Sequence, residues 1–137
     1  MTAQEQQDAM MEKLRRRFLI NHFARHDNLE LLLDAMRRGD DPLARAREAE
    51  AVLHKIAGAA GSLGLPELGQ AAFMVEAFLR DHLAATPPDV DTICDGLDAF
   101  LDISLQVCNP TAFPAETDVL GRHDAAQTAP AKAISAA

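Results

Sequence analysis

The chain has 137 residues, of which 48% are apolar, and its 13 basic and 21 acidic side chains leave a net charge of −8. That composition describes one globular domain with its own core, and the acidic balance argues against nucleic acid or an anionic membrane surface as the main partner. No apolar run approaches the ~20 residues of a membrane span, the polar start Met1–Lys13 is not a secretory signal, and two cysteines are not a disulfide framework. The expected setting is soluble and cytoplasmic. Ala occurs 26 times and Leu 17 times, Val and Ile five times each, and Trp and Tyr are absent. Helices favour Ala and Leu, whereas strands favour the β-branched and aromatic residues in short supply here. The expected class is all-α.

The apolar spacing before residue 28 (Met11, Leu14, Phe18) predicts a first helix over 5–26, with a kink near His26-Asp27-Asn28. Leu29, Leu32, Leu33 and Met36 follow at i, i+3, i+4, i+7 and predict a helix over 28–38. Gly39-Asp40-Asp41-Pro42 then reads as one helix stopping and another starting, with Asp41 as N-cap and Pro42 in the first turn. Gly64-Leu65-Pro66-Glu67 reads the same way, so the next elements are 42–63 and 66–84. Thr86-Pro87-Pro88-Asp89 precedes a last helix over 89–108, carried by Val90, Ile93, Leu97, Phe100 and Leu101, and Asn109-Pro110 ends it. Short connections favour antiparallel neighbours. The expected architecture is an antiparallel up-down four-helix bundle over residues 1–108, its N-terminal helix extra or continuous. Residues 109–137, rich in Ala, Thr and Pro, read as a disordered tail.

The segment 42–64 does not read as an ordinary surface helix. At ~100° per residue, Ala49, Val52, Ile56, Ala59, Ala60 and Leu63 lie opposite His54 and form a buried stripe, which leaves His54 facing water. Around it on the water side lie Arg47, Ala51, Gly58 and Gly61, with Lys55 and Ser62 flanking. Exposed helix faces are normally filled with long polar residues, and each interior Gly costs ~1 kcal/mol relative to Ala. Close approach of a partner to the helix backbone would offset that cost. Close packing of two helices within the bundle would do so as well.

His54-Lys55-Ile56-Ala57-Gly58-Ala59-Ala60-Gly61-Ser62-Leu63-Gly64 resembles the signature of the histidine phosphotransfer (HPt) domains of bacterial phosphorelays, and Leu65, Leu68 and Glu76 fit that family's next helix. Phe18-Leu19 and Leu29–Met36 fit its preceding helix, so that the resemblance spans about residues 15–105. It implies a phosphocarrier in which the unprotonated ring of His54 accepts a phosphoryl group from an aspartyl phosphate and passes it on. An exposed histidine titrates near ~6.5, which leaves a neutral fraction at cytoplasmic pH. It implies response-regulator receiver domains and a hybrid sensor kinase as partners, no intrinsic cofactor, Mg²⁺ carried by the receiver, and a monomer. Gly58 and Gly61 would make room for the receiver, Ala51, Ala57 and Leu65 would line the docking face, and Lys55 and Ser62 would touch the phosphoryl group or the partner. The Ser62 hydroxyl could equally bond back to a helix carbonyl. One position departs from the pattern: Ala57 stands where the family usually has Lys, and Arg47, two turns earlier, is the candidate to supply that charge. A module that only binds or sequesters receivers is the alternative, followed by a dimeric phosphotransferase and a purely structural bundle. No phosphate-binding glycine loop suggests an ATP site.

The remaining features read more plainly. His22 and His26 share a helix face and read as solvated; Glu30 would be needed to begin a metal site, and none is expected. His82, near a helix end, reads as capping carbonyls or facing water, and Lys13 with Arg15–Arg17 as a solvated basic face. Cys94 and Cys108, ~21 Å apart along one helix, are too distant for a disulfide and read as buried apolar residues. Asp91, Asp95, Asp98 and Asp102 form a water-facing ladder.

Overall fold

A computed structural model describes residues 2–108, and the tail expected over 109–137 lies outside the described residues. Four α-helices follow one another: α1 (Ala3–Arg37), α2 (Pro42–Ser62), α3 (Pro66–Leu83) and α4 (Val90–Val107). The two helices expected over 5–26 and 28–38 are one. No Pro or Gly lies between Ala3 and Arg37, and Asp27 and Asn28 sit on the exposed face while His26 and Leu29 turn inward, so nothing interrupts the hydrogen-bond ladder. The helix also starts earlier than its apolar spacing predicts. Thr2 Oγ1 accepts from the Glu5 N–H at 3.1 Å and Glu5 Oε1 accepts from the Thr2 N–H at 2.7 Å, a reciprocal capping box.

The glycine turns form as expected. Gly39 (φ 77°) and Gly64 (φ 79°) take the left-handed conformation that ends α1 and α2. In both, the next residue's N–H reaches back to a carbonyl of the last turn, Asp40 to Ala35 and Leu65 to Ala60, each at 3.0 Å. Pro42 and Pro66 open the following helices. Asp41 occupies the N-cap position but its side chain makes no cap hydrogen bond, because its own backbone is left-handed (φ 47°). Asp89 does cap α4, accepting from the Thr92 N–H and hydroxyl.

Each helix packs on its chain neighbours, α1 also packs on α4, and the partners in contact run antiparallel. Leu29, Leu53, Ile56, Leu68, Leu79, Leu97 and Phe100 are completely buried at the centre. The stripe of α2 is turned toward α3 relative to the sequence expectation. Ala46, Ala49, Leu53, Ile56 and Ala60 are buried, whereas Val52, Ala59 and Leu63 are only half-buried, because α2 makes its most extensive contact with α3. Arg15 ties α1 to the α2–α3 turn, donating to the Leu63 carbonyl at 3.0 Å and pairing with Glu12 at 2.7 Å. His82 is half-buried, its ring against Phe78. Cys94 and Cys108 are free and buried. Asp91, Asp95 and Asp102 are exposed, and Asp98 lies 3.6 Å from Arg37.

His22 and His26 correct the surface reading: both are buried between α1 and α4. His22 Nε2 and His26 Nδ1 lie 2.7 and 2.9 Å from the single hydroxyl of Ser104. One hydroxyl donates once, so one ring nitrogen gives it a proton and the other accepts. The arrangement that gives every N–H a direction has His22 Nε2–H donating to Ser104 and Ser104 donating to His26 Nδ1. His26 Nε2–H then points toward Glu30 Oε2 at 3.6 Å. His22 Nδ1 has no partner, and Phe18 stacks on the ring at 5.7 Å. Burial, then the nearby His26 and Arg25, push the His22 pKa down to about 4. The unfolded chain therefore binds this proton more readily. Stability is complete above pH ~6.5 and falls by on the order of 3 kcal/mol as pH drops from ~6.5 through 4. Urea unfolding between pH 7 and 4 is expected to show this loss, and His22→Leu to flatten it.

Candidate functional site

α2 and α3 meet along a seam whose register three contacts fix. Gly69 on α3 packs so closely on α2 that an added Cβ would lie 3.1 Å from the Gly61 backbone nitrogen and 3.5 Å from Ala60 Cβ. Seven residues on, Glu76 meets His54 on the antiparallel helix, and one turn further Arg80 meets Glu50. Small residues at one end of the seam thus bring the backbones together, and polar side chains bridge it at the other.

His54 stands on the water side of α2, as its spacing predicts, with 76% of its side chain exposed. Its Nδ1 lies 2.8 Å from Glu76 Oε2. Glu76 is only 8% exposed at its side chain, so its carboxylate must be paired, and a carboxylate can only accept. In the neutral ring Nδ1 therefore carries the proton and Nε2 the lone pair, which the contact on Nδ1 leaves directed away from Glu76. The same Oε2 accepts from Arg80 Nη2 at 3.0 Å, and Arg80 Nε reaches Glu50 Oε2 at 3.3 Å. A chain of four side chains, Glu50–Arg80–Glu76–His54, thus crosses the seam twice.

The other residues singled out by sequence are arranged around this ring. Arg47, Ala51, Lys55, Gly58 and Gly61 are exposed. A Cβ built at Gly58 or Gly61 meets nothing within 4 Å, so packing does not require glycine at either position; the helix glycines that packing does require are Gly69, against α2, and Gly96, where an added Cβ would lie 2.5 Å from the Phe78 ring. Ser62 donates its hydroxyl to the Ala59 carbonyl at 3.0 Å, as the back-bonding alternative has it. Leu65 is half-buried at the start of α3. Ala57 is half-buried, and the register of the seam sets it level with Phe73, which is 60% exposed. Arg47 makes no hydrogen bond or ion pair with the described residues, and the cation tied to the His54 site is Arg80. In the sequence Glu76 stands out only as a fit to the family's next helix, and Arg80 does not stand out at all. The signal lies in their spacing: Gly69, Glu76 and Arg80 share the face that matches Gly61, His54 and Glu50 in reverse.

The family model of the Hpt domain matches residues 13–103, more than half of the chain. The chain belongs to the Hpt domain family. Membership assigns an Hpt domain to histidine phosphotransfer in phosphorelays, and to interaction with their receivers and kinases. The all-helical, four-helix architecture agrees with it. No curated protein and no solved structure matches the chain. Among the described residues no helix is long and apolar enough to cross a membrane, and no group of three or more His, Cys, Asp or Glu side chains is placed to hold a metal ion.

The unequal surroundings of the glycines are open to a direct check. Gly58→Ala and Gly61→Ala are expected to raise the melting temperature of this Hpt domain, each by an increment worth up to ~1 kcal/mol, because Ala favours the helix and meets no neighbour. Gly69→Val is expected to lower it by ~1–3 kcal/mol, since the new side chain presses on the α2 backbone.

Proposed function

We propose that this chain is a phosphocarrier of a multistep phosphorelay, in which His54 takes a phosphoryl group from a receiver-domain aspartate and delivers it to another. The observation that carries this reading is the state of His54: its Nδ1 is held by the buried Glu76 carboxylate while the side chain is largely in water. Proton transfer need not precede attack, because the lone pair is already on Nε2. The Nε2–P bond forms as the P–O bond to the donor aspartate breaks, and the aspartate leaves as a carboxylate. Nδ1 keeps its proton on Glu76, and the positive charge left on the ring faces that carboxylate. The reverse sequence passes the phosphoryl group to a second aspartate. Phosphoryl transfer depends on positioning and charge neutralisation, and by family resemblance the receiver brings the Mg²⁺. Gly58 and Gly61 leave the helix surface beside His54 bare, which supports their reading as room for the receiver. Ala51, Ala57 and Leu65 extend that face, and Lys55 and Arg47 place positive charge near it.

The first test mixes the protein with radiolabelled phospho-receivers and Mg²⁺ beside His54→Gln. Acid-labile, base-stable label on the wild type alone is the expected result. Receiver binding without label, in a panel where another Hpt protein is labelled, would favour the sequestering module instead. A second test separates docking from chemistry. Gly58→Arg is expected to slow transfer from a phospho-receiver by about tenfold or more, a loss of about 1.4 kcal/mol, while leaving uptake from phosphoramidate, a small donor, within about twofold.

A further inference from the structure

The seam between α2 and α3 holds a cation that the histidine motif does not contain. Arg80 donates through Nη2 to the oxygen of Glu76 that holds the His54 ring, and through Nε to Glu50. A glutamate side chain has three rotatable bonds, and nothing in the backbone of α3 fixes where its carboxylate points. Two donors converging on Oε2, one from each helix, do fix it. The planar guanidinium is suited to the task, since its donors lie in a rigid fork and can engage two carboxylates at once. Ala57 leaves the turn after His54 without the Lys that the resemblance leads one to expect there.

We propose that Arg80 is the positioning residue of this site: anchored by Glu50, it holds the Glu76 carboxylate in the orientation that keeps the proton on His54 Nδ1 and the lone pair on Nε2. It also neutralises a buried negative charge that would otherwise stand beside the arriving phosphoryl group. This role rests on the phosphocarrier reading for its purpose but not for its structural content.

The experiment uses ¹⁵N-labelled full chain, as wild type, Arg80→Ala, Arg80→Lys and Glu50→Gln, with the melting temperature of each recorded. The imidazole ¹⁵N shifts of neutral His54 report which ring nitrogen bears the proton, and phosphoramidate uptake reports nucleophilicity. The wild type is expected to be a single Nδ1–H tautomer. Arg80→Ala is expected to become a mixture and to take up phosphate roughly three- to tenfold more slowly, the size of effect that follows from weakening one orienting hydrogen bond. Arg80→Lys restores part of both, and Glu50→Gln moves both in the direction of Arg80→Ala by less. Arg80 is 56% exposed, so the fold is expected to survive; if Arg80→Ala melts early, Glu50→Gln carries the test. An unchanged tautomer ratio overturns the proposal, including the case where uptake alone falls, because Arg80 would then act on the phosphoryl group directly. A tautomer change in a protein that no donor phosphorylates overturns the phosphocarrier reading and leaves the positioning role standing.

Discussion

The buried carboxylate of Glu76 is the constraint around which this Hpt domain is organised. A negative charge removed from water must be met by donors, and it is met by one from each side of the α2–α3 seam, the His54 ring and the Arg80 guanidinium. The His54 ring would not reach it if the helices stood further apart, and Arg80, its i, i+4 neighbour on α3, would lose its anchor on Glu50. The close approach of Gly69 to the Gly61 backbone sets that separation, and the glycine turn at Gly64 delivers α3 antiparallel to α2 in the register where the pairs meet. The geometry of the His54 face therefore depends on packing two turns away from it as much as on the histidine itself.

The same residue type serves opposite ends in the two halves of the bundle. His54 is held by a carboxylate and stands in water. His22 is held by a hydroxyl, stacked on Phe18 and sealed between α1 and α4, where burial keeps it neutral. The contrast follows from what each ring is given. A carboxylate partner tolerates a positive ring, whereas His22 Nδ1 faces no acceptor at all, so a second proton there would have nowhere to direct its hydrogen bond.

Much of this was legible in the amino-acid order because it is local. Gly39 and Gly64 mark left-handed turns, Pro42 and Pro66 mark first turns, and the spacing from Leu29 to Met36 marks a buried face. The exposure of His54 also follows from spacing. What escaped is what depends on a neighbour. Asp27-Asn28 looks like a break only until one sees that both ride the outer face of an uninterrupted helix. His22 and His26 look solvated, although they keep step with Leu19, Leu29 and Leu33 on the inner face. Leu53 is buried and Val52 only half-buried because α3, not the bundle axis alone, decides which side of α2 is covered. Glu76 and Arg80 are unremarkable charged residues until the antiparallel register sets them opposite His54 and Glu50.

That register also decides where this chain tolerates a change of length. Adding or deleting one residue in 39–41 or in 84–89 alters a connection and leaves the α2–α3 pairs as they are. The same change between His54 and Gly61, or between Gly69 and Glu76, turns one end of the seam by ~100° and shifts it by ~1.5 Å against the other. The glycine contact and the histidine–carboxylate contact could then no longer form together. The two seven-residue intervals act as a matched pair of gauges, in which equal length matters more than the side chains between their ends.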